Sequence, residues 1–188
     1  MKTYMRIFGI ILLCLLASCR QAPPVPIEQH PRDGSVLYWE NSRLVKPILR
    51  HTGSNITHAA IILDGWVYEA VPPAVHKMPL SEYYDSMEAK AKKPALEKRG
   101  FNWFIMEPRI AFTVKQLRAM KYHAESQLGR PYQLKGWWKG HEVKGIFCSQ
   151  FVGDTVERSG LIASGHVHES PGSLHKKLLP YYKERTND

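Results

Sequence analysis

The stretch Thr52–Ala70, TGSNITHAAIILDGWVYEA, constrains this chain more than any other. Its centre carries the alternation of a strand, Asp64-Gly65 is a strong two-residue hairpin turn, and Trp66–Ala70 supplies a second strand. If Leu63 pairs with Trp66 across the turn, Ala60 faces Glu69. His58 then lies one diagonal step from Glu69 on the same face of the sheet. Diagonal neighbours are roughly 7–8 Å apart between backbone positions, within reach of a long carboxylate and an imidazole. The turn chemistry thus brings a base and a group that can orient it together, and the remaining question is whether the chain supplies a nucleophile.

The chain has 188 residues, suited to one domain, and 44% hydrophobic and 11% aromatic residues, enough for a core. Residues 1–18 are set apart from that core. Lys2 and Arg6 form a basic leader, Ile7–Leu16 is an apolar run too short for a comfortable membrane span, and Ala17-Ser18 are small residues at a cleavage point. This pattern predicts a secretion signal. Leu16-Ala17-Ser18-Cys19 resembles a bacterial lipobox, which implies a Cys19 that becomes the lipidated (palmitate-bearing) first residue of the mature protein. Two or more acyl chains anchor a protein stably, which one does not. Arg20, where proteobacterial lipoproteins retained in the inner membrane carry Asp, implies the outer membrane, facing the periplasm.

Of the three cysteines, Cys14 leaves with the signal and Cys19 is taken by lipid, so Cys148 alone remains. One unpaired thiol in an exported protein offers no disulfide framework; it is either a reactive group or a small buried hydrophobe. The net charge of +9 fits an anionic partner such as a membrane surface or cell-wall polymer. The basic residues are scattered, with small clusters at Lys90–Lys93 and Lys176-Lys177, and no nucleic-acid motif accompanies them.

Residues 19–32 hold four prolines and no periodic apolar pattern, the composition of an extended tether. A single domain is expected over residues 33–188. Ser35–Trp39 reads as a short strand, Leu44–Arg50 as a helical turn or two, Val75–Met78 as extended, and Ser81 as the N-cap of a short helix to about Met87 followed by a Lys-rich loop. Asn102–Met106 reads as another strand. Thr113–Leu128 is the clearest helix: Thr113 and Gln116 form a capping box, Leu117, Met120, Ala124 and Leu128 share one core-facing stripe, and Gly129 follows as the C-terminal glycine. A second helix is expected from Phe147 to Gly160, and the remainder, with Pro171, Gly172 and Pro180, reads as loop and tail.

Cys148 sits at the start of that second helix, in GIFCSQFV. The free N–H groups and positive dipole end there favour a thiolate, which is the nucleophilic form. His58 and Glu69 offer the base and its orienter in one hairpin. His51, His76, His123, His141, His166, His168 and His175 compete on paper; His166 and His168 are a possible metal pair but lack further ligands at recognisable spacing.

The stretches TGSNITHAAIIL, VYEA, LGRPYQ and FCSQFV, in that order, resemble a circularly permuted member of the NlpC/P60 superfamily of papain-like cysteine hydrolases, of the YaeF/YiiX-like group. In unpermuted relatives the cysteine helix precedes the histidine strands; here the hairpin comes some ninety residues before Cys148. The resemblance implies an α+β fold, a small, partly barrel-like antiparallel sheet packed against helices. It implies Cys148 as nucleophile, His58 as general base, Glu69 as the orienting third residue and Tyr132 near the oxyanion site, with neither metal nor cofactor. Gln133 and Gln150 depart from acidic residues common in the family, which touches the substrate contacts. The implied activity is cleavage of an amide, as in cell-wall peptides. Two alternatives stand beside it: a lipid-directed acyl hydrolase or acyltransferase, with Trp137 and Trp138 near an acyl site, and a non-catalytic envelope binding protein on the same frame.

Overall fold

A computed structural model describes residues 30–40, 54–98, 100–133, 145–163 and 170–185. Pro31–Asp188 forms one compact unit. The expectations for the signal, Cys19 and the prolines before His30, for the Leu44–Arg50 helix, and for Trp137, Trp138, His51, His141, His166 and His168 lie outside the described residues.

The Asp64-Gly65 turn sets the architecture. Both residues adopt positive φ, 53° and 72°, the backbone a two-residue hairpin needs to match the twist of its strands. Lys121 pairs with the Asp64 carboxylate, and the Asp64 N–H donates to Asp33 Oδ1 at 2.6 Å, so the turn is tied at both sides. β2 (Ile56–Leu63) and β3 (Trp66–Ala70) pair as Leu63↔Trp66, Ile62↔Val67 and Ile61↔Tyr68. β1 (Val36–Glu40), β4 (Val75–Pro79), β5 (Asn102–Pro108) and β6 (Tyr182–Glu184) complete a six-stranded sheet ordered β4-β3-β2-β1-β5-β6, every neighbouring pair antiparallel.

All eight residues of β2 are buried, because helices cover both faces of the sheet. On one face Leu37, Ala60, Ile62 and Val67 pack against Leu80, Tyr83 and Met87 of α1 (Leu80–Ala91). On the other, Ala59, Ile61 and Leu63 meet Met120 and Ala124 of α3 (Val114–Ser126), Phe151, Val152 and Val156 of α4 (Cys148–Glu157), and Leu174 and Leu178 of α5 (Pro171–Leu178). A short α2 (Pro94–Glu97) lies between α1 and β5. Each large apolar side chain buried this way contributes about 1.5–3 kcal/mol. Among the described residues no helix is long and apolar enough to cross a membrane.

The structure differs from the sequence reading in three places. α1 begins at Leu80 with Pro79 at its cap and continues to Ala91, since Leu80, Tyr83 and Met87 dock it on the sheet and lysine sustains a helix. Leu128 is 38% exposed and lies outside the core stripe, beyond the end of α3 at Ser126. The C-terminal segment forms α5 and β6 where loop and tail were expected. Pro171 occupies the first turn of α5, where a missing N–H costs nothing, and Ser170 and Ser173 cap each other reciprocally. Gly172 is required there, because a Cβ would fall 2.3 Å from Ser54 Oγ.

Candidate active site

β1 and β2 run in register from Val36↔Ile61 to Trp39↔His58, and then Glu40 pairs with Ile56, leaving Thr57 as an extra residue. A bulge of this kind bends a strand and re-aims its side chains. Thr57 Oγ1 donates to the Trp39 carbonyl at 3.3 Å and fixes the irregularity. Ile56 consequently joins the core on the α4 side, while His58, two residues on, stacks on Trp39 with ring centroids 4.2 Å apart.

From β3, Glu69 presents Oε2 to His58 Nε2 at 2.7 Å. The Tyr83 hydroxyl of α1 donates to the same oxygen at 3.2 Å. His58 and Glu69 are 5% and 4% exposed, so their interaction is little screened by water. Cys148, at the first position of α4 and equally buried, lies close enough to His58 for each to shift the other's titration. With Nε2 engaged by Glu69, Nδ1 is the ring nitrogen left for the sulfur. The backbone at Ala59 and Ser149 adds to the stabilisation of the Cys148 anion.

Electrostatics follow from these contacts. Burial by itself lowers the His58 value, but the charge and hydrogen bond of Cys148, together with Glu69, override it and raise it from 6.5 to about 9. Burial pushes the Cys148 thiol up, and His58, with the backbone at Ala59 and Ser149, brings it below its ordinary value. Burial likewise opposes ionisation of Glu69, while the hydrogen bond from His58 and the ion-pair contact with His76 hold it well below the usual carboxylate range. The arrangement favours a thiolate–imidazolium pair beside a carboxylate ionised at neutral pH.

Tyr132 approaches from a third segment. Its N–H donates to the Pro73 carbonyl at 2.8 Å and it bridges to Ile146, two residues before Cys148. Gly145 permits this approach, because an added Cβ would lie 2.3 Å from Gln133 Cβ. Burial and the charge of Cys148 both raise the Tyr132 hydroxyl, which therefore stays protonated and able to donate. The structure thus brings together Cys148, His58, Glu69 and Tyr132.

Of the competing histidines, His123 and His175 sit elsewhere, His175 edge-on against Tyr38 and Phe104. His76 belongs to the cluster: its Nε2 is 3.2 Å from Glu69 Oε1. Sequence reasoning missed this role, as it did those of Tyr83 and Trp39. A four-residue connection from Ala70 to Val75 would have placed Glu69 opposite His76, and that is the observed register.

A cavity of about 480 Å³ opens where β1 ends and β2 begins, lined among others by Glu40, Ile56, Phe104, His175, Lys176 and Glu184. None of Cys148, His58, Glu69 and Tyr132 lines it. Among the described residues, no group of three or more His, Cys, Asp and Glu side chains is arranged to hold a metal ion.

The titrations give a stability prediction. His58, raised, contributes fully below pH 6.5 and loses that contribution as pH rises through about 9; Cys148, lowered, contributes fully above 9 and loses it as pH falls. Between these limits the two slopes oppose each other. Glu69, lowered from 4.5, contributes above pH 4.5 and loses it on acidification. Urea unfolding from pH 3 to 8 should therefore show the stability gap between wild type and Glu69→Gln shrinking below about pH 4.5. A gap independent of pH would contradict the assignment of a depressed carboxyl.

An α+β fold with a six-stranded antiparallel sheet and helices on both faces is what the elements define. Among solved structures, the chain is similar to the metalloprotein yiiX from Escherichia coli O157:H7, with a TM-score of 0.52 and 21% identity. The match covers 69% of this chain and 66% of that one, so this chain matches just under two thirds of the length of its neighbour. At that identity the likeness concerns the fold. No protein-family model and no curated protein matches the chain.

Proposed function

We propose that the chain is a thiol-dependent hydrolase of the cell envelope, built on a circularly permuted papain-like frame and cleaving an amide bond in a cell-wall peptide or a related substrate. The observation that carries the reading is the buried chain of contacts from Cys148 at a helix start, through His58, to Glu69 2.7 Å away. A nucleophile, a base and an orienter in that sequence are the working parts of acyl transfer.

In this reading the Cys148 thiolate attacks the carbonyl carbon and forms the C–S bond. The developing oxyanion faces the Cys148 N–H, free of helical bonding at the first position, and the Tyr132 hydroxyl. Collapse breaks the C–N bond as the His58 imidazolium gives its proton to the departing amine. Neutral His58 then takes a proton from water, hydroxide adds to the thioester, and Cys148 leaves as thiolate while the acid is released. Glu69 holds the ring throughout. The signal segment 1–18 is removed in this account, and a lipid on Cys19 anchors the protein to the outer membrane within reach of its substrate.

Intact-mass spectrometry on the protein incubated separately with muropeptides and with acyl-lipid esters tests the proposal. A peptidyl adduct on Cys148 is expected. An adduct from the ester alone would make the protein a lipid-directed acyl hydrolase or acyltransferase, and no adduct from either would favour a binding protein.

A further inference from the structure

Glu69 is the hub of the site, and its two oxygens are held differently. Oε2 faces inward, accepting from His58 at 2.7 Å and from Tyr83 at 3.2 Å. Oε1 faces His76 Nε2 at 3.2 Å. His76 stands directly opposite Glu69 in the β3–β4 ladder, so this contact is written into the register and does not depend on a loop. The His76 side chain is 39% exposed, against 6% for Glu69. His76 is therefore the point at which the buried chain from Cys148 through His58 to Glu69 meets solvent.

The terminal torsion of a glutamate is broad and roughly two-fold, so one contact does not fix the plane of a carboxylate. Contacts on both oxygens do. Without His76, Oε1 would turn to water, and the plane that aligns Oε2 on His58 Nε2 would be free to rotate. We propose that His76 is a positioning residue of this site: by its ion-pair contact with the outer oxygen of Glu69 from the solvent side, it locks the carboxylate on His58 and so sets the strength of the His58–Cys148 pair. This rests on the hydrolase reading for its consequence in turnover, but its physical content concerns His58 alone.

The groups that act on this chain come from every element around it. Glu69 on β3, His58 on β2, Cys148 at the head of α4, and Tyr83 on α1 all face it, and Lys90 of α1 lies over the Trp39 ring at 4.2 Å and within the field of Glu69. The Glu69 contact raises the His76 value, and the neighbouring His58 opposes the rise. Two effects of deleting His76 thus have opposite signs. Loss of a nearby positive charge would raise the His58 midpoint; loss of alignment lowers it.

Two-dimensional NMR of the ring nitrogens in histidine-labelled protein, titrated from pH 5 to 10, separates them. In the wild type, His58 should titrate near 9. In His76→Ala the midpoint should fall by about one unit or more, a tenfold loss in proton affinity. In His76→Gln, whose amide can still reach Oε1 but cannot ionise, it should stay at the wild-type value or rise, since alignment is kept and only the charge is lost. An unchanged or raised midpoint in His76→Ala, or a fall of equal size in His76→Gln, would overturn the proposal. The titration needs no substrate. A failure of the hydrolase reading would appear as absent turnover with these shifts intact, and a failure of the His76 proposal as absent shifts whatever the turnover.

Discussion

Cys148→Ala is expected to remove turnover and the covalent adduct together, with a fall in rate of roughly 10³- to 10⁶-fold, the scale on which deletion of a nucleophile acts in acyl-transfer enzymes. The reason is positional. Cys148 is the only cysteine among the described residues; it is buried, lies beside His58, and is placed where the helix dipole and the backbone at Ala59 and Ser149 favour its anion. The fold should survive the change, at a cost of about 1–2 kcal/mol for one small buried side chain, visible as a modest shift in the urea midpoint. Turnover that persists in a folded Cys148→Ala protein would assign the chemistry to another group.

Glu69→Ala should have the largest effect on stability. Hydrogen bonds from His58 and Tyr83 and an ion-pair contact with His76 converge on this carboxylate, and it is almost fully buried. Removing one member of a buried ionic network leaves the rest uncompensated, which costs about 3–5 kcal/mol. Tyr83→Phe, which removes a single hydrogen bond, should cost only about 1 kcal/mol. Chemical denaturation of the two variants tests the ranking. A Glu69→Ala protein as stable as Tyr83→Phe would mean that the network contributes little and that the histidines find other partners.

The site was legible in the sequence to the extent that it rested on local chemistry. Asp64-Gly65 fixes its own turn, the turn fixes the register, and the register brings Glu69 to His58. The capping box at Thr113 and the helix start at Cys148 are equally local. What was hidden depends on register across longer connections or on irregularity. The extra residue at Thr57 has no sequence signal, yet it re-aims the strand beside His58. His76 reaches Glu69 only once β4 pairs with β3, and Tyr83 only once α1 docks. At α5 the same residues that break helices elsewhere, Pro171 and Gly172, sit in the first turn where they are tolerated, so composition pointed the wrong way.

The central claim is that His58 makes Cys148 a thiolate at neutral pH, and the rate of alkylation by iodoacetamide as a function of pH measures it directly. In the wild type the inflection should lie below the ordinary thiol value of 9.0. In His58→Ala it should move up to that value or above it, because burial then acts on the thiol without its partner, and the rate at pH 7 should fall by about tenfold or more. Superimposable profiles for the two proteins, both with an ordinary thiol inflection, would contradict the account.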